Sequence, residues 1–118
     1  MNPEALIPLN PRDYLILFSL AAGKRHGYGI VKDMERDSQG RVRIDPANLY
    51  RSLKRLIASG LVEDAGSHLA ADAQEERRRY YRITGFGRQV LQLEAMRLAD
   101  LTAAARKRDL IPAGKGVR

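Results

Sequence analysis

The segment from Asp45 to Gly60 constrains this chain more than any other. Asp45-Pro46 opens it with a side-chain acceptor at the N-cap and a residue lacking an N–H at the first helical position, and Gly60 supplies the stop. Over the helix predicted between Pro46 and Ser59, Leu49, Leu53, Leu56 and Ile57 fall within an arc of about 100°. The opposite arc, about 160° wide, holds Tyr50, Lys54, Ala47, Ala58, Arg51, Arg55 and Asn48, and no acid. Such a helix buries leucines against its own domain and turns outward a cationic face that nothing prevents from meeting phosphate.

The rest of the chain frames this segment. Residues 1–9, with two prolines and no period, read as a flexible N-terminal arm, ordered only if something holds it. Asn10, Pro11 and Asp13 start a helix over Pro11 to Ala22 that Gly23 ends. A second helix follows the turn Gly23 to Gly27, with Tyr28, Val31, Met34 and Glu35 at helical spacing and Gly40 beyond its end. Arg41 to Ile44 alternates polar and apolar residues, as a short edge strand does. Leu61-Val62-Glu63 and Arg79 to Ile83 read as two strands, with Asp64 to Arg78 a polar loop between them. Thr84 caps a final helix from Gly85 to about Arg108, and residues 109–118 read as a flexible tail. Helix, helix, short strand, helix and hairpin describe a mainly α fold with a small β-hairpin wing. This is a winged helix-turn-helix over residues 10–84, followed by a long C-terminal helix over 85–108.

Charge decides what such a fold is for. The chain of 118 residues carries a net +7, which by itself could mean solubility alone. Its placement is uneven: residues 41–60 hold five cations and one acid, whereas 1–40 and 61–88 are neutral. The +3 on residues 89–118 reflects a basic helix end and tail. Arg77-Arg78-Arg79 lie together where the wing returns, within reach of phosphates or a minor groove, or of neighbouring Glu75 and Glu76. Each feature has an ordinary alternative, a solvated helix face or tyrosines that merely fill space. Their coincidence on one side of a winged helix favours nucleic acid. A winged helix that binds another protein without specific DNA binding is the competing reading.

Several classes are excluded. With no cysteine, disulfides, thiol nucleophiles and Cys-based metal sites are absent, and two histidines leave little for any other metal; no cofactor is expected. The longest apolar stretch, Tyr14 to Ala22, is far short of the about 20 residues of a membrane span, and no basic segment followed by an apolar run opens the chain, so a cytoplasmic protein is expected. Ala113 to Val117 lacks the upstream glycine and following hydroxyl of a phosphate loop, and neither Gly27-Tyr28-Gly29 nor Gly85-Phe86-Gly87 carries the third glycine of a dinucleotide site. An enzyme is not expected.

His26-Gly27-Tyr28-Gly29, then Asn48 to Leu56 (NLYRSLKRL) closing in Ser59-Gly60-Leu61-Val62, then Tyr81-Arg82-Ile83-Thr84 with Gly87, form a series whose order and spacing are specific. Through them the chain resembles the PadR family of bacterial transcriptional regulators from about Tyr14 to Arg108. It departs from the commoner pattern at Gly29 and at Thr84-Gly85-Phe86-Gly87, and it lacks the tryptophan of an aromatic drug-stacking pocket. The resemblance implies a homodimeric repressor of the short subclass that binds a palindromic operator on double-stranded DNA and, in several members, is released by a small-molecule effector. It places Tyr28 and Tyr50 at the DNA backbone and makes Asn48, Arg51, Lys54 and Arg55 candidates for base or phosphate contact. With Arg77, Arg78 and Arg79 of the wing, these are the candidate DNA-binding residues.

The final helix supports a dimer on its own pattern. Val90, Leu91, Leu93, Leu98, Leu101, Ala104 and Ala105 span an arc of about 160°, wider than the about 100° one neighbour covers. The first helix and a partner subunit are the expected neighbours. Tyr14, Phe18, Val90, Leu91, Leu93, Leu98 and Leu101 are the candidate dimerisation residues. An effector cavity would lie near the same two helices, where Tyr14, Phe18, Leu93, Met96 and Arg97 are available, although core packing is the favoured role for each of them.

Overall fold

A computed structural model describes residues 2–69 and 77–112, with side chains described for 2–67 and 78–112. A 3-10 turn at Pro3–Leu6 precedes helix α1 (Pro11–Ala21), strand β1 (Arg25–His26), helix α2 (Gly27–Asp37), helix α3 (Pro46–Ala58), strands β2 (Val62–Leu69) and β3 (Arg77–Ile83), and helix α4 (Gly85–Lys107). Local chemistry sets the helix starts. Asn10, Asp45 and Thr84 each accept a hydrogen bond from the backbone N–H three residues on, at 2.8, 2.9 and 2.8 Å. His26 caps α2 in the same way through Nδ1, which accepts from the Gly29 N–H.

The core is built from all of these elements. Ile16, Leu17 and Leu20 of α1 meet Ile30 and Met34 of α2, Leu49, Leu53 and Leu56 of α3, Val62 and Tyr81 of the sheet, and Val90 and Leu91 of α4. The antiparallel sheet has the order β1-β3-β2, with Arg25 opposite Tyr81 and Val62 opposite Ile83. A bulge between Asp64 and Gly66 is held by the Gly66 N–H, which donates to Asp64 Oδ1 at 2.7 Å.

One glycine is required by close approach. Thr84 Oγ1 donates to the Gly60 carbonyl at 2.6 Å, and the Thr84 N–H donates to the Leu61 carbonyl at 3.1 Å. This draws the first turn of α4 so near Leu61 that a Cβ on Gly87 would lie 2.1 Å from the Leu61 carbonyl oxygen. Gly60, at φ +81°, makes the preceding left-handed turn that a side chain would strain.

The structure departs from the sequence expectations in four places. Arg41 to Ile44 forms no strand, because the position beside β3 is taken by Arg25–His26, which reads from sequence as a turn. The wing strands run through most of the expected loop, to Leu69 and from Arg77, leaving residues 70–76 outside the described residues. The expected N-terminal arm packs against α4: Leu6, Ile7 and Leu9 border the core, and the Leu9 N–H donates to Glu94 Oε2 at 2.9 Å. The expected tail begins with an ordered helix terminus, in which Asp109 takes φ +60° and the Leu110 N–H donates to the Ala105 carbonyl at 3.0 Å. The remainder of that tail, 113–118, lies outside the described residues.

Among the described residues no helix is long and apolar enough to cross a membrane. The molecule is elongated, with extents of 53 × 33 × 21 Å, because the second half of α4 runs on beyond the core.

Candidate nucleic-acid interface

Helix α3 buries Leu49, Leu53 and Leu56 and leaves its polar face outward. At its first turn Asp45 Oδ2 accepts from Asn48 Nδ2 at 2.7 Å, and Asn48 Oδ1 accepts from Arg51. The backbone N–H of Asn48 holds the Asp45 carboxyl below the usual carboxylate range. This chain of bonds fixes Asn48 and Arg51 before any ligand arrives, which lowers the ordering cost of using them. One turn on, Lys54 is exposed and forms no ion pair among the described residues, and Tyr50 is 56% exposed and lines a cleft with it.

Tyr28, at the start of α2, is 64% exposed, unusual for so large an aromatic side chain. The His26 ring stacks parallel to it at 6.4 Å, and Lys32 Nζ stands 5.4 Å from its ring centre. Tyr28 and Tyr50 both line a largely apolar cleft of about 500 Å³, together with the buried Leu49, Leu53 and Tyr81. Arg78 and Arg79 of β3 line the same cleft, Arg78 lying 3.1 Å from His26 Nε2 and Arg79 paired with Asp64. Thus Tyr28, Asn48, Tyr50, Arg51, Lys54, Arg78 and Arg79 come together on one side of the molecule. The side chain of Arg77 lies outside the described residues.

Arg55 is differently engaged. Its two terminal nitrogens donate to the two oxygens of Asp13, both at 2.8 Å. Asp13 is only 5% exposed, so the fork ties α3 to the first turn of α1, and the carboxylate raises the Arg55 pKa above its ordinary value. Matched in place by an acid, Arg55 is a strut between helices more than a free cation. Sequence reasoning could not find this partner, which lies 42 residues away. It also passed over Arg12, which lines one cleft with Asn48, Arg51 and Lys54.

The candidate dimerisation residues divide between two environments. Val90 and Leu91 are buried by their own domain and cannot form an intersubunit surface, a correction to the sequence expectation. A helical wheel records direction and not where along α4 the domain ends. Leu93 and Tyr14 are half-buried, while Phe18 (46% exposed), Leu98 and Leu101 (56%) are uncovered, and Tyr14 stacks on Phe18 at 5.9 Å. Met96, outside the predicted arc, is 63% exposed and points to the other side of the helix from Leu98 and Leu101. Between the two environments Glu94, 1% exposed, accepts from both the Leu9 N–H and the Arg97 fork at 2.7 and 2.9 Å. Arg97 holds the Glu94 carboxyl below its usual range.

Comparison with known proteins gives consistent likenesses. The profile of the transcriptional regulator PadR-like family matches residues 16–93. An uncharacterized 37.1 kDa protein in transposon TN4556 of Streptomyces fradiae is 34% identical over 93 residues, which are 79% of this chain and 24% of that protein. The chain therefore spans about a quarter of that relative's length. A transcriptional regulator from Clostridium thermocellum superposes with a TM-score of 0.64 at 25% identity, covering 80% of this chain and 89% of the other. A PadR family transcription regulator from Clostridium difficile gives 0.67 at 21%, covering 81% and 95%. Bacillus subtilis PadR, solved in complex with operator DNA, gives 0.58 at 22%, covering 68% and 44%.

Proposed function

Because the chain belongs to the PadR-like family of transcriptional regulators, matched over residues 16–93, we propose that it binds double-stranded DNA sequence-specifically, with α3 in the major groove and the β2–β3 wing along the flanking backbone. The observation that carries this reading is the outward face of α3, where Asn48, Tyr50, Arg51 and Lys54 stand together, with Asp45 at the cap engaged by Asn48 and Asp64 at its edge paired with Arg79. The family is one of regulators rather than enzymes, and no catalytic role is assigned to any residue.

Residues 10–84 act as the DNA-binding unit and 85–108 as the dimerisation helix. Two chains pair through the uncovered part of α4 and the Tyr14–Phe18 stack, which sets two recognition helices about 34–36 Å apart over a palindromic site. Repression by occupying such an operator in the cytoplasm is the finer form of the proposal. Release by a small molecule would require that it bind one arrangement of the two heads better than another. Likeness in fold to Bacillus subtilis PadR, solved in complex with operator DNA, supports DNA as the partner.

Selection of bound sequences from random double-stranded DNA tests the reading. A recovered palindromic consensus supports it, and Asn48→Ala or Arg51→Ala should then relax base preference by about 1–3 kcal/mol at the contacted position. No salt-dependent DNA binding at all would favour a protein-interaction module instead.

A further inference from the structure

A helix with its side chains is about 10–12 Å across, and the major groove is about 12 Å wide, so a helix seated in it presents both flanks to phosphate backbones. On α3 one flank is the tyrosine and wing side already described. The other flank carries Ser52 and Arg55, and there the chain has built a second basic surface from different elements. Arg12 of α1 and Arg41 and Arg43 of the α2–α3 connection line an open cleft of about 500 Å³ with Ser52 and Arg55. Arg12, Ser52 and Arg55 also line the neighbouring cleft with Asn48, Arg51 and Lys54, so the two are continuous.

Resting on the proposed DNA-binding reading, we propose that Arg12, Arg41 and Arg43 form a second phosphate clamp, which grips the DNA strand on the side of α3 opposite the wing. Their charge is available for it. All three are exposed, and among the described residues none lies in an ion pair. Arg41 donates to the Gln39 amide oxygen and Arg43 to the Gly40 carbonyl, neutral acceptors that steer the side chains without cancelling them. The one acid lining the cleft, Asp13, is buried with both oxygens held by Arg55. Asn10 and Pro11 line the cleft as well, which brings the positive end of the α1 dipole toward the same anion. Two clamps on opposite strands would fix the roll of α3 in the groove, which one clamp leaves free.

The test compares the full-length protein with the triple variant Arg12→Gln, Arg41→Gln, Arg43→Gln, on a selected operator duplex across a salt series. Three lost contacts should lower the salt slope by about 2.7 units per protomer and weaken binding at least about tenfold at low salt. The control Arg106→Gln, Lys107→Gln, Arg108→Gln removes three cations at the far end of α4 and should leave the slope nearly unchanged. In ethylation interference, modified phosphates on the strand opposite the wing should block wild-type binding and leave the first triple variant indifferent. An unchanged slope and affinity in that variant, with wild-type binding intact, overturns the clamp and spares the DNA-binding reading. Equal losses in the two triple variants also overturn it, by showing net charge rather than a site. If the wild-type chain binds no duplex, both readings fall together.

Discussion

Helices α3 and α4 both carry apolar and charged residues at helical spacing, yet they leave opposite kinds of surface uncovered. In α3 the leucines are satisfied by the domain and the cations remain. In α4 the first turns are satisfied, and on the same side beyond Glu94 it is hydrocarbon that remains, in Leu98 and Leu101. The difference lies in where each helix sits. Helix α3 crosses the domain along its whole length, so every turn finds a core on one side. Helix α4 leaves the domain halfway, so an identical pattern is buried at one end and bare at the other. The uncovered surfaces call for different partners, a polyanion for α3 and an apolar surface for α4.

Gly87 joins the two helices, and replacing it should break the comparison most completely. A methyl group 2.1 Å from the Leu61 carbonyl must displace either the turn after α3 or the first turn of α4. Gly87→Ala should destabilise the fold by about 3 kcal/mol, read by urea denaturation. Stability within experimental error of wild type would mean that α4 is not held as close to Leu61 as described.

Each helix is also tied down by one buried carboxylate, Asp13 for α3 and Glu94 for α4. Asp13→Ala and Glu94→Ala should each cost about 2 kcal/mol, since partly buried donors lose their acceptor while the arginines keep access to water. Only the Glu94 variant should also free the N-terminal segment, seen as faster hydrogen exchange at the Leu9 amide. Glu94 adds a pH signature. Its folded pKa is held below the ordinary 4.5, so its contribution is present above that value and is lost as pH falls through the folded one. Denaturation midpoints followed from pH 6 to pH 3 should therefore fall, and fall less in Glu94→Gln than in wild type.

How much of this was legible follows from how local each cause is. Asn10, Asp45 and Thr84 could be recognised as caps because the N–H each accepts lies three residues away. Leu49, Leu53 and Leu56 declared their face for the same reason. Arg25–His26 became a strand only because β3 supplies its partner more than 50 residues later, and nothing within those two residues announces it. The Arg55 fork, the Glu94 tether and the overhang of α4 are likewise facts about distant segments. The candidate interface was therefore readable in its residues, while the assignment of each cation, free or already matched, needed the fold.

The uncovered half of α4 can be tested without disturbing the covered half. Leu101→Glu places a charge on a residue already 56% exposed, so the stability of the folded protomer should stay within about 0.5 kcal/mol of wild type. The self-association proposed for this surface should weaken by at least about tenfold, or about 1.4 kcal/mol. Sedimentation across a dilution series distinguishes the two, and a variant as associated as wild type would move the contact elsewhere.

The smallest effect is expected on α3, and its smallness is informative. Lys54 is exposed and pairs with no acid among the described residues, so Lys54→Ala removes no contact that the folded protomer depends on. Denaturation should register a change of less than about 0.5 kcal/mol. Binding to duplex DNA should weaken by a similar small factor on specific and random sequences alike, with the salt slope falling by about 0.9. That uniformity is the point: a phosphate contact carries no base identity, so Lys54 should alter affinity without altering which sequence wins, in contrast to Asn48 and Arg51 on the same face. If Lys54→Ala instead changed the preferred sequence, the roles along α3 would have to be exchanged, with base reading moved toward Lys54 and Tyr50 and the Asp45–Asn48–Arg51 chain left as a device that only holds the first turn.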